Sequence, residues 1–143
     1  MFRISFFALG LLLLAAPVLA EDFVGSVRTL KGEAEILRQG ETVSPKLGDY
    51  VYQGDELRTG DGSLGVMFRD DTSIALGPRT DIVVDEFVFD PAGKNVRFAT
   101  EMVKGSALFV TGQIARVNPE AFSLGTPKAN IGIRGTKFLV TVK

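Results

Sequence analysis

Polar and apolar positions alternate along much of this chain. In residues 33–37 (EAEIL), Ala34 and Ile36 share one face and Glu33 and Glu35 the other. In SLGVMFRD, Leu64, Val66 and Phe68 line up, and in DDTSIAL so do Ile74 and Leu76. NVRFATEMV places Val96 and Phe98 opposite Arg97 and Ala99. A period of two marks half-buried antiparallel strands. DIVVDEFVF departs from it: Ile82, Val83 and Val84 run together, then Phe87, Val88 and Phe89. Such a strand is buried on both faces or carries a bulge near Asp85-Glu86.

Between these runs lie turn residues. GDGS (residues 60–63) and RDDT (residues 69–72) are tight-turn sequences, in which Asp and Gly accept left-handed backbone. They predict two hairpins, closed by Asp61-Gly62 and Asp70-Asp71. FDPAGKN predicts a longer loop. Helical signal is confined to one turn around Ile114 to Val117, stopped by Pro119. The expectation is an all-β fold: a single compact domain of many short, mainly antiparallel strands, as a sandwich or roll. A short solenoid-like stack is the alternative, because Gly-Asp recurs at 48–49, 54–55 and 60–61. So brief an echo fits consecutive strand–turn units better.

The N-terminus reads as a cleavable signal over residues 1–20, leaving residues 21–143 as the β-domain. Arg3 precedes an apolar run from Ile4 to Leu14, and Val18 and Ala20 occupy the −3 and −1 positions. That run is short of the roughly 20 apolar residues of a membrane span, although a retained anchor is the other reading. Arg3 leaves with the signal, so 16 − 1 gives 15 Lys+Arg against 17 Asp+Glu. This balance carries no footprint for nucleic acid. The chain has no Cys and no His. An exported chain of this size without disulfides fits the bacterial periplasm, since its core suffices. Ser–His–Asp, Cys–His and the usual zinc sites are excluded. No cofactor is expected.

The remaining candidate chemistry is thin. Asp49, Asp55, Asp61, Asp70, Asp71 and Asp81 lack the spacing of a calcium loop and read as turn residues. Asp85-Glu86 is the best carboxylate pair for glycosidase-like work, yet neighbours in a strand point to opposite faces. Lys94, Arg97, Phe98, Lys104, Phe109 and Arg116 interleave basic and aromatic character and could line a groove. Plain amphipathic strands with solvated basic residues explain them better.

An ordered set of motifs runs from Val24 to Val140. It comprises Gly25-x-Val27, Gly48-Asp49, Gly54-Asp55-x-Leu57-x-Thr59-Gly60, Asp71-Thr72-Ser73-Ile74-x-Leu76-x-Pro78, Lys104-Gly105, Thr126-Pro127 and Arg134-Gly135-Thr136-x-Phe138. In this order they resemble the FecR-type domain. The resemblance implies an all-β extracytoplasmic module without catalytic residues. In the regulators that name the family, the module sits in the periplasm. It relays the state of an outer-membrane iron–siderophore receptor, through one membrane helix, to a cytoplasmic anti-sigma region. This sequence has no cytoplasmic region before its first apolar segment. It therefore resembles the freestanding exported version.

The expected function is a non-enzymatic periplasmic module that binds an envelope protein or glycan, without nucleic acid and without membrane insertion after cleavage. The alternative is an envelope sensor acting with a separate membrane regulator of a sigma factor. A polysaccharide-acting enzyme using Asp85 or Glu86 ranks below both. The C-terminal stretch carries the structural expectations. Thr126-Pro127 should give an extended entry. Ala129, Ile131 and Ile133 should share a core face, and Arg134 should clasp a neighbouring turn or carboxylate. Phe138, Leu139 and Val140 should lie on an unpaired last strand that offers a partner-binding edge.

Overall fold

The computed structural model describes residues 22–90, 92, 94–133 and 135–143. The expected signal segment and Arg134 lie outside these residues. Among the described residues twelve strands follow one another: β1 (Gly25–Lys31), β2 (Ala34–Arg38), β3 (Glu41–Val43), β4 (Tyr50–Val51), β5 (Glu56–Thr59), β6 (Ser63–Phe68), β7 (Ser73–Leu76), β8 (Asp81–Asp90), β9 (Asn95–Val110), β10 (Phe122–Gly125), β11 (Asn130–Gly132) and β12 (Lys137–Val142). One short helix, α1 (Gln113–Val117), and a 3-10 turn (Pro119–Ala121) separate β9 from β10. The fold is a single all-β domain, an antiparallel sheet curled into a half-barrel. No described helix is long and apolar enough to cross a membrane.

β9 belongs to both halves of the curl. One half runs β4-β1-β6-β7-β9-β12, and the other β3-β2-β5-β8-β9-β10-β11. The first half of β9 pairs with β8 and, in parallel, with β10. Its second half pairs antiparallel with β7 and β12. The change of partners falls at Gly105, whose φ of +99° disfavours any side chain. A Cβ there would also run into Thr80, whose hydroxyl accepts from the Ser106 amide at 3.0 Å.

The alternating residues named from the sequence face inward together. Ile36, Leu64, Val66, Phe68, Ile74, Leu76 and Phe98 are buried. The two halves meet through rings: Phe68 of β6 lies 5.9 Å from Phe87 of β8 and 4.7 Å from Phe98 of β9, and Phe98 stacks on Phe122 at 5.0 Å. β8 does carry a bulge. The register against β9 shifts between Val84 and Glu86, leaving Asp85 exposed. The slipped residue resets the phase, so Ile82 and Val84 before it and Phe87 after it all enter the core.

Of the two expected hairpins, β6–β7 forms, closed through Asp71 at φ +69°. The other does not. β5 pairs with β2 and β8, whereas β6 pairs with β1 and β7. Residues 60–63 carry the chain across the curl instead. Gly60 is held by the Glu33 carbonyl and by the Arg79 amide, so a turn sequence fixed the reversal but not the partner strand. The Gly-Asp echo is two strand–turn units at β4 and β5, not a solenoid.

Candidate functional site

The first Gly-Asp pair lies in a strap, residues 44–55, that joins the open edges of the two halves. Gly48 (φ +86°) donates to the Val27 carbonyl (2.8 Å), and the Val27 amide returns a bond to Asp49 (2.9 Å). The Asp49 carboxylate accepts from the Lys46 amide at 2.8 Å. At the strap's far end, Gly54 donates to Val84 (2.7 Å) and Val84 to Asp55 (2.9 Å). One side of the strap is thus stitched to β1 and the other to β8.

Asp55 is 1% exposed, and its charge is met by Arg38. Nε and Nη2 of Arg38 reach its two oxygens at 2.9 and 2.8 Å, and the Tyr52 amide adds a bond at 2.9 Å. Arg38 Nη2 also donates to the Tyr50 carbonyl at 3.2 Å, and the guanidinium sits 4.7 Å from the centre of the Tyr52 ring. The side-chain bond to Asp55 raises the Arg38 pKa above its ordinary value, against the opposing effect of burial. The sequence held the signal for this pair: Arg38 shares its parity with Ala34 and Ile36, and an arginine on an inward face requires a counter-ion.

Thr126-Pro127 is a hairpin turn rather than an extended entry. The Thr126 amide donates to the Ala129 carbonyl (2.8 Å), and the Ala129 amide to the Thr126 hydroxyl (3.1 Å), closing β10 on β11. Ala129 is therefore exposed at the turn, outside the core, while Ile131 and Ile133 pack against it. Gly135 (φ +97°) and Thr136 lead into β12, and the Thr111 hydroxyl reaches both of their carbonyls at 3.3 and 3.4 Å. The expected clasp by Arg134 falls outside the described residues.

β12 corrects the expectation of an unpaired last strand. Along its inner side it is fully paired, from Lys137 opposite Val110 to Val142 opposite Gly105. Its outer side pairs with no described strand. Phe138 stacks on Phe109 at 5.1 Å and Val140 is buried, whereas Leu139 is 69% exposed. The Thr111 amide donates to the Thr136 carbonyl at 2.8 Å. Antiparallel ladders alternate, so Lys137, Leu139 and Thr141 turn their backbone N–H and C=O groups outward.

The other candidates do not assemble. Asp85 is exposed, and Glu86 is bonded by Arg97. Phe98 and Phe109 are core residues, while Lys94, Arg97, Lys104 and Arg116 are exposed on other faces, so no basic–aromatic groove forms from them. Among the described residues no group of three Asp or Glu could hold a metal ion. Two of the aspartates read from the sequence as turn residues, Asp70 and Asp81, are buried. Asp70 is 0% exposed and accepts from the Thr72 amide and hydroxyl and from the Ile114 amide. Asp81 accepts from Arg58 Nε at 3.1 Å, but its other oxygen is buried and unpartnered among the described residues. Burial, then the neighbouring Glu56 carboxyl, raises the Asp81 pKa despite Arg58.

Against known proteins, a family model described as FecR protein matches residues 55–143. The match starts at Asp55, so Gly48, Asp49 and Gly54 precede it. No curated protein and no solved structure matches the chain. The FecR family takes part in signal transduction that regulates sigma factors, and it is a regulatory family rather than a known class of enzymes. The match spans more than half of the chain, from β5 through β12, and the chain therefore belongs to the FecR family.

Proposed function

We propose that this chain is a non-enzymatic, exported FecR-type binding module that works in the periplasm and recognises a cell-envelope partner, a protein or a glycan. The outer edge of β12 carries this reading and favours a protein strand. Three consecutive outward positions, Lys137, Leu139 and Thr141, offer backbone donors and acceptors with no described partner. An edge of that kind is a template for strand addition. Export is supported by the charged-then-apolar N-terminus ending in small residues. The family's part in sigma-factor regulation favours a second reading, in which the module senses envelope state for a separately encoded membrane regulator.

Leu139→Pro tests the edge. Proline removes an amide that points outward and leaves the bonds to β9 in place. A photo-cross-linker at Thr141 in intact cells should yield a protein adduct in the parent and none in Leu139→Pro. An adduct that persists in a folded Leu139→Pro protein overturns the edge as the docking site. An adjacent sigma-factor gene would favour the sensing role.

A further inference from the structure

On the strap, away from β12, lies a depression of about 270 Å3. Its floor is apolar, from Ile36 and Val43, and its walls are Tyr50, Tyr52, Arg38 and Asp49. Both rings are held before any ligand arrives. Tyr50 stacks on Phe23 at 4.2 Å and 12°, and Arg38 covers Tyr52. Arg38 is itself fixed, because Asp55 takes Nε and Nη2 side-on. That geometry leaves both hydrogens of Nη1 without a described acceptor. Asp49 uses one carboxylate oxygen on the Lys46 amide and keeps the other available.

We infer that this depression is a subsite for a neutral sugar ring carrying an acetamido group. Charge rules out an anion: the Arg38 charge is already balanced by Asp55, and the Asp49 carboxylate lines the same wall. A neutral ligand with both donors and acceptors fits. The acetamido carbonyl accepts from Arg38 Nη1, ring hydroxyls donate to Asp49, and the methyl group meets Ile36 and Val43. Tyrosine rings locked by stacking offer apolar area at little entropic cost. The volume falls below the range of drug-sized ligand sites, about 300–1,000 Å3, so it takes one ring of a chain rather than a whole drug-sized molecule. The subsite shares with the reading above only that the module binds an envelope component. The β12 edge and this depression stand or fall separately.

The experiment is an amide NMR titration of the folded domain with N,N′,N″-triacetylchitotriose, with cellotriose as the comparator lacking acetamido groups. Shifts confined to Arg38, Val43, Asp49, Tyr50 and Tyr52, at least about tenfold tighter for the acetylated sugar, are expected. Tyr50→Ala, at an exposed position, should weaken binding about tenfold, a difference of about 1.4 kcal/mol. No saturable shift at these residues in the parent protein overturns the subsite, whatever the variant does. Equal affinity for cellotriose overturns the acetamido assignment. Binding unchanged in Tyr50→Ala places the sugar elsewhere and also overturns it.

Discussion

Arg38 and Asp55, seventeen residues apart, meet through two side-chain hydrogen bonds of 2.9 and 2.8 Å. The carboxylate is nearly sealed from solvent and the guanidinium about one-third exposed, at 1% and 31%. Removing the arginine strands a buried charge, whereas removing the aspartate leaves an arginine that water can still reach. Arg38→Ala should therefore cost more than Asp55→Ala, about 3 against about 2 kcal/mol, allowing for the open side of the pair. Arg38→Lys should recover little, because lysine cannot grip both oxygens. Urea unfolding of the three variants checks the order, and a costlier Asp55→Ala contradicts it.

Asp70 acts at a distance as the cap of α1. Gly112 precedes the helix and offers no side chain, but the Ile114 amide donates to Asp70 (3.2 Å) and the Gln113 amide to the Asp70 carbonyl (2.7 Å). Thr72, bonded to the same carboxylate, receives the Gly112 amide at 3.1 Å. Asp70→Ala should cost about 3 kcal/mol, the loss of several bonds to one buried charged acceptor. Hydrogen exchange at Ile114 should accelerate beyond the global change. A uniform acceleration would show that α1 is not held this way.

Gly105→Ala should destabilise the fold by at least about 2 kcal/mol, combining strain at φ +99° with the collision against Thr80. Gly105→Ala together with Thr80→Ser should recover only part of the loss, because the serine hydroxyl stays where the new methyl group must go. Thermal melts of the single and double variants decide it. Full recovery would place the whole cost in the Thr80 methyl group.

Asp81 sets a pH dependence. Its folded pKa is raised, first by burial and then by Glu56. A carboxyl raised on folding adds stability below its unfolded value, about 3.9, and that contribution is lost as pH rises through the folded value. Near neutral pH the ionised form is therefore a burden. Asp81→Asn keeps an acceptor for Arg58 and gives Glu56 a donor. It should raise Tm by several degrees at pH 7, with the gain shrinking as pH falls toward 4. A gain that grows on acidification would reverse the assignment.

Local features of this fold were legible in the sequence, and distant pairings were not. The bulge in β8 showed as a slip in apolar phase between Val84 and Phe87, because the core tolerates only inward apolar residues. Asp70-Asp71 showed as a turn that closes neighbouring strands. GDGS showed equally well as a turn, yet its flanking strands separate to opposite halves, since turn chemistry sets reversal and not partnership. Ala129 was misplaced for the related reason that a four-residue turn moved it out of the strand. Of the candidate sites, the last strand was legible and its single free side was not, because β9 lies far upstream in sequence. Arg38 could have been found, being the one charged residue at an inward position of β2.

β9 has one further consequence, in time rather than in space. Its partners β7 and β8 precede it along the chain, and β10 and β12 follow. The ladder cannot be finished until Val142 has been synthesised, since that residue pairs with Gly105. A nascent chain emerging from the ribosome lacks the last partners of its own central strand, and pairings this distant form slowly. The central ladder therefore stays open until β12 has emerged, however early β7 and β8 have paired with β9.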